Sequence, residues 1–214
     1  SGFLGRHVVR ALAMRRYRIR VAVRRPDLAG DLQPFGAPGQ IHAVQANLRY
    51  QDSVAAAGPV LAVVVNLVGI LHGNFERVHA ELPRMVVAAC RGRGVGRLLH
   101  MSALGASASA PSEYLRTKAM GERAALDATD LAVTAFRPSV IFGPEDAFLN
   151  TFAALARTFP VLPIACPQAR FQPVYVADVA HAMSRTLDDR STHGKTYELC
   201  GPRQYTLKEL VELV

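Results

Sequence analysis

A tyrosine and a lysine stand four residues apart in the stretch EYLRTK, residues 113–118. On a helix that spacing is one turn, so Tyr114 and Lys118 share a face. A neighbouring ammonium favours the phenolate and lowers a tyrosine pKa from about 10 toward neutrality. A phenol tuned in this way gives a proton to a substrate oxygen or takes one from it. The same spacing also arises by chance on solvated helices, so the pair needs support from the elements that would position it.

That support begins at the other end of the chain. SGFLGRHVVRAL places Gly2 and Gly5 directly before a helical pattern. Glycines there let a backbone turn approach a pyrophosphate, which then sits on the helix N-terminus. About twenty residues on, where such a site ends its second strand, the chain reads VAVRRPD. An acidic residue at that point holds the ribose 2′-OH of NAD, whereas Arg24 and Arg25 suit a 2′-phosphate. Arginine presents a planar fork to phosphate oxygens, so the pair favours NADP(H) over NAD(H).

Other chemistries find little here. The seven histidines show no H-E-x-x-H or other paired spacing, so no metal site is expected. His100 is expected to be a satisfied, semi-buried strand residue, and Glu145 with Asp146 a solvated turn. No G-x-S-x-G elbow points to a hydrolase, and no cysteine has the flanking partners of a nucleophile. Cys90, Cys166 and Cys200 are widely spaced and odd in number, which suits reduced thiols in a cytoplasmic compartment. The net charge of +8 comes from arginines scattered along the chain, without aromatic interleaving, so nucleic acid is not the expected partner. The longest apolar run, VLAVVVNLVGI, has eleven residues and one asparagine. It is too short to cross a bilayer and suits a strand buried on both faces.

With 214 residues, half of them apolar, the chain has enough for a sizeable core. Its patterns alternate helix and strand. Val8, Val9, Leu12 and Ala13 mark a helix over 5–16, followed by strands RIRVAV, QIHAV, VLAVVVNLV, RLLHMS and LAVTAFRPS. Between them lie a helix around 77–94, broken or delayed by Pro83, and one around 111–128 capped by Ser112. Beyond Gly143 the proline-rich stretch to Val176 reads as a smaller cap over the sheet's carboxyl edge. Asp178 is expected to cap the next helix, KTYELCGP returns a strand, and Thr206 with Glu209 makes a capping box for a final helix. The expected fold is α/β: a Rossmann-type doubly wound parallel sheet over residues 1–140, with a small C-terminal cap region over 141–214. Because SGFLG begins inside the glycine turn, the first strand is expected to be missing from this chain.

In order, SGFLG, VAVRR, NLVG, HMSAL, YLRTK, RPSVIFGPED and FQPVYVADVA resemble the extended short-chain dehydrogenase/reductases. More narrowly, they resemble the atypical branch typified by the alpha-subcomplex subunit 9 of respiratory complex I and its bacterial relatives. The resemblance implies a dinucleotide site made by Gly2, Phe3, Leu4 and Gly5 at the phosphate turn and by Arg24 and Arg25 at the ribose phosphate. It adds Asn47 and Leu48 beside adenine, and Asn66, Val68 and Gly69 under the riboses. Pro138 and Ser139 fall near the nicotinamide and Ser102 takes the first, structural hydroxyl position of the cofactor site, with Tyr114 as acid/base and Lys118 on the nicotinamide ribose. The family usually carries a second hydroxyl residue after Ser102 to polarise the substrate carbonyl, and here that residue is Ala103. Losing one such donor costs on the order of a hundredfold in rate. The resemblance therefore implies an NADP(H)-binding accessory, assembly or redox-sensing protein. Its partners would be complex I or quinone-related proteins, and its place cytoplasmic and peripheral at the inner membrane. The alternative is an NADPH-dependent reductase or isomerase acting through Tyr114 and Lys118 on a hydrophobic carbonyl or quinone-pathway substrate.

Overall fold

The structure, a computed structural model, describes residues 2–46, 62–158 and 164–213. Asn47 and Leu48 lie outside the described residues. Helix α1 (Phe3–Met14) buries Val8, Val9, Leu12 and Ala13, the positions its periodicity marks. Strands β1 (Ile19–Val23) and β2 (Ile41–Gln45) follow and pair in parallel, Ile19 opposite Ile41. Two 3₁₀ turns, Pro26–Leu28 and Gly30–Phe35, connect them.

A second parallel sheet runs β3 (Val63–Asn66), β4 (Arg97–Met101), β5 (Ala132–Pro138) and β9 (Lys195–Leu199), in that spatial order. All five residues of β4 are buried, as expected of a parallel strand covered on both faces. Successive side chains of a strand point to opposite faces. Leu98 accordingly joins the apolar cluster of Leu82, Val86, Val87 and Ala125, on helices α2 (Leu82–Gly92) and α3 (Glu113–Leu126). Leu99 joins the cluster of Val8, Leu12, Val179 and Met183, on α1 and α5 (Val176–Arg185). Helices thus cover both faces, the doubly wound arrangement. No strand lies between β1 and β3 among the described residues, so the parallel layer is in two pieces; β1 and β3 residues nonetheless pack against the same cluster.

The remaining elements are short. Strands β6 (Ile141–Phe142) and β8 (Val174–Tyr175) pair in parallel, and β7 (Arg170–Phe171) pairs antiparallel with β10 (Tyr205–Thr206). Helix α4 (Phe148–Thr158) lies inside the proline-rich stretch after Gly143. Helix α6 (Leu207–Glu212) begins with the expected capping box of Thr206 and Glu209.

Three expectations are corrected. Asp178 does not cap α5: the cap is Tyr175, in extended conformation, and Asp178 lies in the first helical turn. There its carboxylate still complements the helix dipole. Asp146 is buried rather than solvated, because its carboxylate accepts the Leu149 N–H at 2.7 Å and the Gly143 N–H at 3.3 Å. His100 is fully buried, and its Nε2 has no hydrogen-bond partner.

Pro83 sits in the first turn of α2, the position in an α-helix that tolerates proline best. Ahead of it the chain is already helical but wider: Glu76–Glu81 is a π-helix. Such segments are rare and recur at functional sites.

Candidate functional site

Helix α1 starts just after Gly2, which is extended at φ −80 and ψ 170. No side chain caps it, and no acidic residue stands in its first turn, so among the described residues no side-chain bond satisfies the first-turn N–H groups at the positive dipole end. Phe3, Leu4 and Gly5 form that first turn. Gly143 has a φ of 155, and a Cβ added there would lie 3.6 Å from the Phe3 ring, so the turn after β6 lies against the glycine turn. Arg6 fastens the two further, its guanidinium 2.8 Å from the Glu145 carboxylate.

Arg24 and Arg25 follow β1 and are both exposed. Arg25 pairs with the Asp27 carboxylate at 2.7 Å, and Asp27 holds its guanidinium pKa up. Ion pairs this exposed contribute little, so an incoming phosphate competes readily.

The carboxyl ends of β3, β4 and β5 meet at the other half of the site. Asn66 closes β3; its Oδ1 accepts the Val68 N–H at 3.1 Å, and its Nδ2 donates to His100 Nδ1 at 3.2 Å. This turns residues 67–70 across the top of the sheet. Ser102 follows β4, its N–H bonded to the Phe136 carbonyl at 2.7 Å, and its buried hydroxyl has no partner. Ala103 is buried beside it. Pro138, half-buried, ends β5, and the Ser139 N–H bonds the Leu199 carbonyl.

Above them lies α3, opened by the expected Ser112 cap, whose hydroxyl accepts the Leu115 N–H at 3.2 Å. Tyr114 and Lys118 share one face of this helix. Lys118 is 5% exposed, and its ammonium donates to the Met101 carbonyl at 3.1 Å. Gly69 comes so close that an added Cβ would lie 3.1 Å from Lys118 Nζ. A salt link from the Arg137 guanidinium to the buried Glu122 carboxylate (2.6 and 2.9 Å) ties the same helix to β5.

The electrostatics depart from the expectation. Burial pushes the Tyr114 phenol up, not down, and lowers Lys118 to about 8. Burial disfavours the charged form of each group, and it governs both shifts. Burial and the nearby Lys118 lower His79 to about 4 and His100 to about 3, so both imidazoles are neutral.

The structure thus gathers Asn66, Gly69, Ser102, Tyr114 and Lys118 at the sheet's carboxyl edge. It places Gly2 to Gly5 at the start of α1, and Arg24 and Arg25 beyond β1. Sequence reasoning missed His79, Thr117 and Phe75. The His79 ring stacks on Phe75 at 5.4 Å and meets Tyr114 edge-on at 5.2 Å. The only sequence signal was a histidine in the apolar phase of the RVHAEL pattern.

Comparison with known proteins gives the family and the fold. The NAD dependent epimerase/dehydratase family matches residues 1–200. The chain is 38% identical to the NADH dehydrogenase (ubiquinone) 1 alpha subcomplex subunit 9, mitochondrial, of Arabidopsis thaliana, over 100% of this chain and 55% of that protein. It is 35% identical to the ceramide reductase of Caulobacter vibrioides over 84% of this chain and 56% of that protein. It therefore spans just over half the length of these relatives. Among solved structures, the dTDP-glucose 4,6-dehydratase DesIV of Streptomyces venezuelae, with NAD bound, superposes with a TM-score of 0.81 at 20% identity, covering 99% of this chain and 77% of that one. Among the described residues no helix is long and apolar enough to cross a membrane. The chain belongs to the NAD dependent epimerase/dehydratase family, the extended short-chain dehydrogenase/reductases.

Proposed function

We propose that this chain holds NADP(H) mainly as a structural or redox-sensing ligand, as an accessory or assembly factor of respiratory complex I, peripheral to the membrane. The observation that carries the reading is the end of β4. Tyr114 and Lys118 are retained, but buried Ala103 stands where the family places the hydroxyl that polarises a substrate carbonyl. A methyl group donates no hydrogen bond to a developing oxyanion, and turnover loses on the order of a hundredfold. Cofactor binding does not need that hydroxyl.

The residues present fit a dinucleotide. The uncapped glycine-led start of α1 suits the pyrophosphate. Lys118 spends one of its three N–H groups on Met101, leaving two for ribose hydroxyls, and the Ser102 hydroxyl is an unpaired polar group in the same pocket. Arg24, exposed and without an ion-pair partner among the described residues, suits a 2′-phosphate. The likeness to the complex I subunit supports the partner assignment.

The second reading is an NADPH-dependent reductase of a hydrophobic carbonyl or quinone. The likeness to a ceramide reductase favours it, as does a Tyr114 hydroxyl that no group among the described residues engages. NADPH supplies a hydride when bound, and Tyr114 would supply the proton.

Calorimetric titration separates the readings. Tyr114→Phe should leave NADPH affinity within about twofold, because in this reading the phenol faces the substrate side and no bond that holds the nucleotide is lost. Arg24→Ala should weaken NADPH about tenfold and leave NADH unchanged, the loss of one charge-assisted contact to phosphate. Equal weakening of both nucleotides would refute the phosphate assignment. NADPH oxidation by quinones that disappears in Tyr114→Phe would overturn the accessory reading in favour of the reductase.

A further inference from the structure

His79 lies outside every contact assigned to nucleotide or substrate, yet it is 2% exposed and sits at the join of three pieces of the site. Its Nε2 accepts the Ile70 N–H at 3.1 Å. A neutral ring that accepts at Nε2 carries its proton on Nδ1. That Nδ1 lies 3.2 Å from Thr117 Oγ1. The Thr117 hydroxyl has its own hydrogen directed to the Glu113 and Tyr114 carbonyls, at 2.9 and 3.0 Å, so it accepts from His79. The chain of bonds therefore has one direction: Ile70 N–H to His79, His79 to Thr117, Thr117 to the backbone of the turn that carries Tyr114.

The neighbouring geometry makes this join tight. Gly69 presents its backbone to Lys118 Nζ and to His79 Nε2, which lie 3.1 and 3.8 Å from where a Cβ would be. Gly121 lets α3 close on the π-helix until an added Cβ would stand 1.9 Å from the His79 carbonyl oxygen. The wide turn of Glu76–Glu81 delivers the imidazole into this gap.

We infer that His79 is a positioning residue: it clamps residues 67–70 to the Tyr114–Lys118 face of α3 and so fixes the nicotinamide-ribose half of the cofactor site. The inference rests on the reading of Tyr114 and Lys118 as the ribose side of that site. The adenosine half, at Arg24 and the start of α1, is built on other elements and does not depend on the clamp.

The test uses two ligands. In His79→Phe the ring volume and its stacking on Phe75 remain, but the Ile70 N–H loses its acceptor. With that part-buried amide unpaired, residues 67–70 lose their fixed position, and restoring it on binding should weaken NADPH about ten- to hundredfold. Adenosine 2′,5′-bisphosphate, which occupies only the adenosine half, should bind within about twofold of the native protein. His79→Gln returns a carbonyl oxygen that accepts the Ile70 N–H, and should recover most of the lost NADPH affinity. Thr117→Val, a milder change, should reproduce a smaller loss with the same selectivity for the whole dinucleotide. Parallel weakening of both ligands would mean a general structural role and overturn the inference, as would native NADPH affinity in His79→Phe. If the native protein binds neither ligand, the dinucleotide reading falls and the clamp falls with it; tight native binding with unaltered variants removes the clamp alone.

Discussion

Lys118→Met should weaken NADPH binding by about ten- to hundredfold while the protein stays folded. Methionine fills nearly the same volume, so the packing under α3 is kept. What disappears is an ammonium that is 5% exposed and already anchored on the Met101 carbonyl. Hydrogen bonds from a charged donor contribute about 1.5–3 kcal/mol each, which sets the expected range. The pH dependence gives a second signature. Burial lowers Lys118 to about 8 in the free protein. If ribose binding requires the ammonium, the bound state holds the proton more tightly, so affinity declines as pH rises above about 8. Titrations between about pH 7.5 and about pH 9.5, above the titration of the 2′-phosphate at about pH 6, should show this decline in the native protein and a nearly flat profile in Lys118→Met. Matching profiles, or native affinity in the variant, would show that Lys118 holds no part of the nucleotide.

Gly121→Ala should cost stability although alanine is the better helix former. The exchange favours the helical state by about 1 kcal/mol. Against this, the added methyl would stand 1.9 Å from the His79 carbonyl and 2.9 Å from Pro83. Backbone cannot swing aside like the end of a long side chain, so α3 and the π-helix must separate. Overpacking of this kind costs about 3 kcal/mol, leaving a net loss of about 2 kcal/mol. Urea unfolding should show the midpoint fall, and Gly92→Ala serves as a control. An added Cβ at Gly92, the last residue of α2, meets nothing within 4 Å, so that variant should be neutral or slightly stabilised. A midpoint in Gly121→Ala equal to that of the control would contradict the close approach described here.

The parts of the fold legible in the sequence are those set by local chemistry. The buried stripe of α1, the strands ending at Val23, Gln45, Met101 and Pro138, the Ser112 cap and the Thr206–Glu209 box all follow from periodicity or from side chains bonding their own backbone. Tyr114 and Lys118 share a face of α3 as their spacing requires, but that spacing singles them out only in company with the glycine turn and the order of the strands. What escaped depends on the surroundings. Asp146 reads as a loop acid until α4 supplies the Leu149 N–H that its carboxylate accepts. Tyr114 reads as an acidified phenol until its burial is known, and then desolvation governs. His79 is invisible as a clamp, because Ile70 and Thr117 lie 9 and 38 residues from it in the chain. The π-helix that carries it has no local sequence code comparable to a cap or a glycine turn.

The most direct test of the central claim is mass spectrometry of the nucleotide released from the purified, denatured protein. Recovery of NADP⁺ or NADPH, close to one per chain, is the expected result. It would join the glycine turn, the arginines after β1 and the buried lysine in one occupied site. Recovery of NAD(H) instead would contradict the role given to Arg24 and Arg25. A protein that carries no dinucleotide and takes up none on titration would contradict the account as a whole.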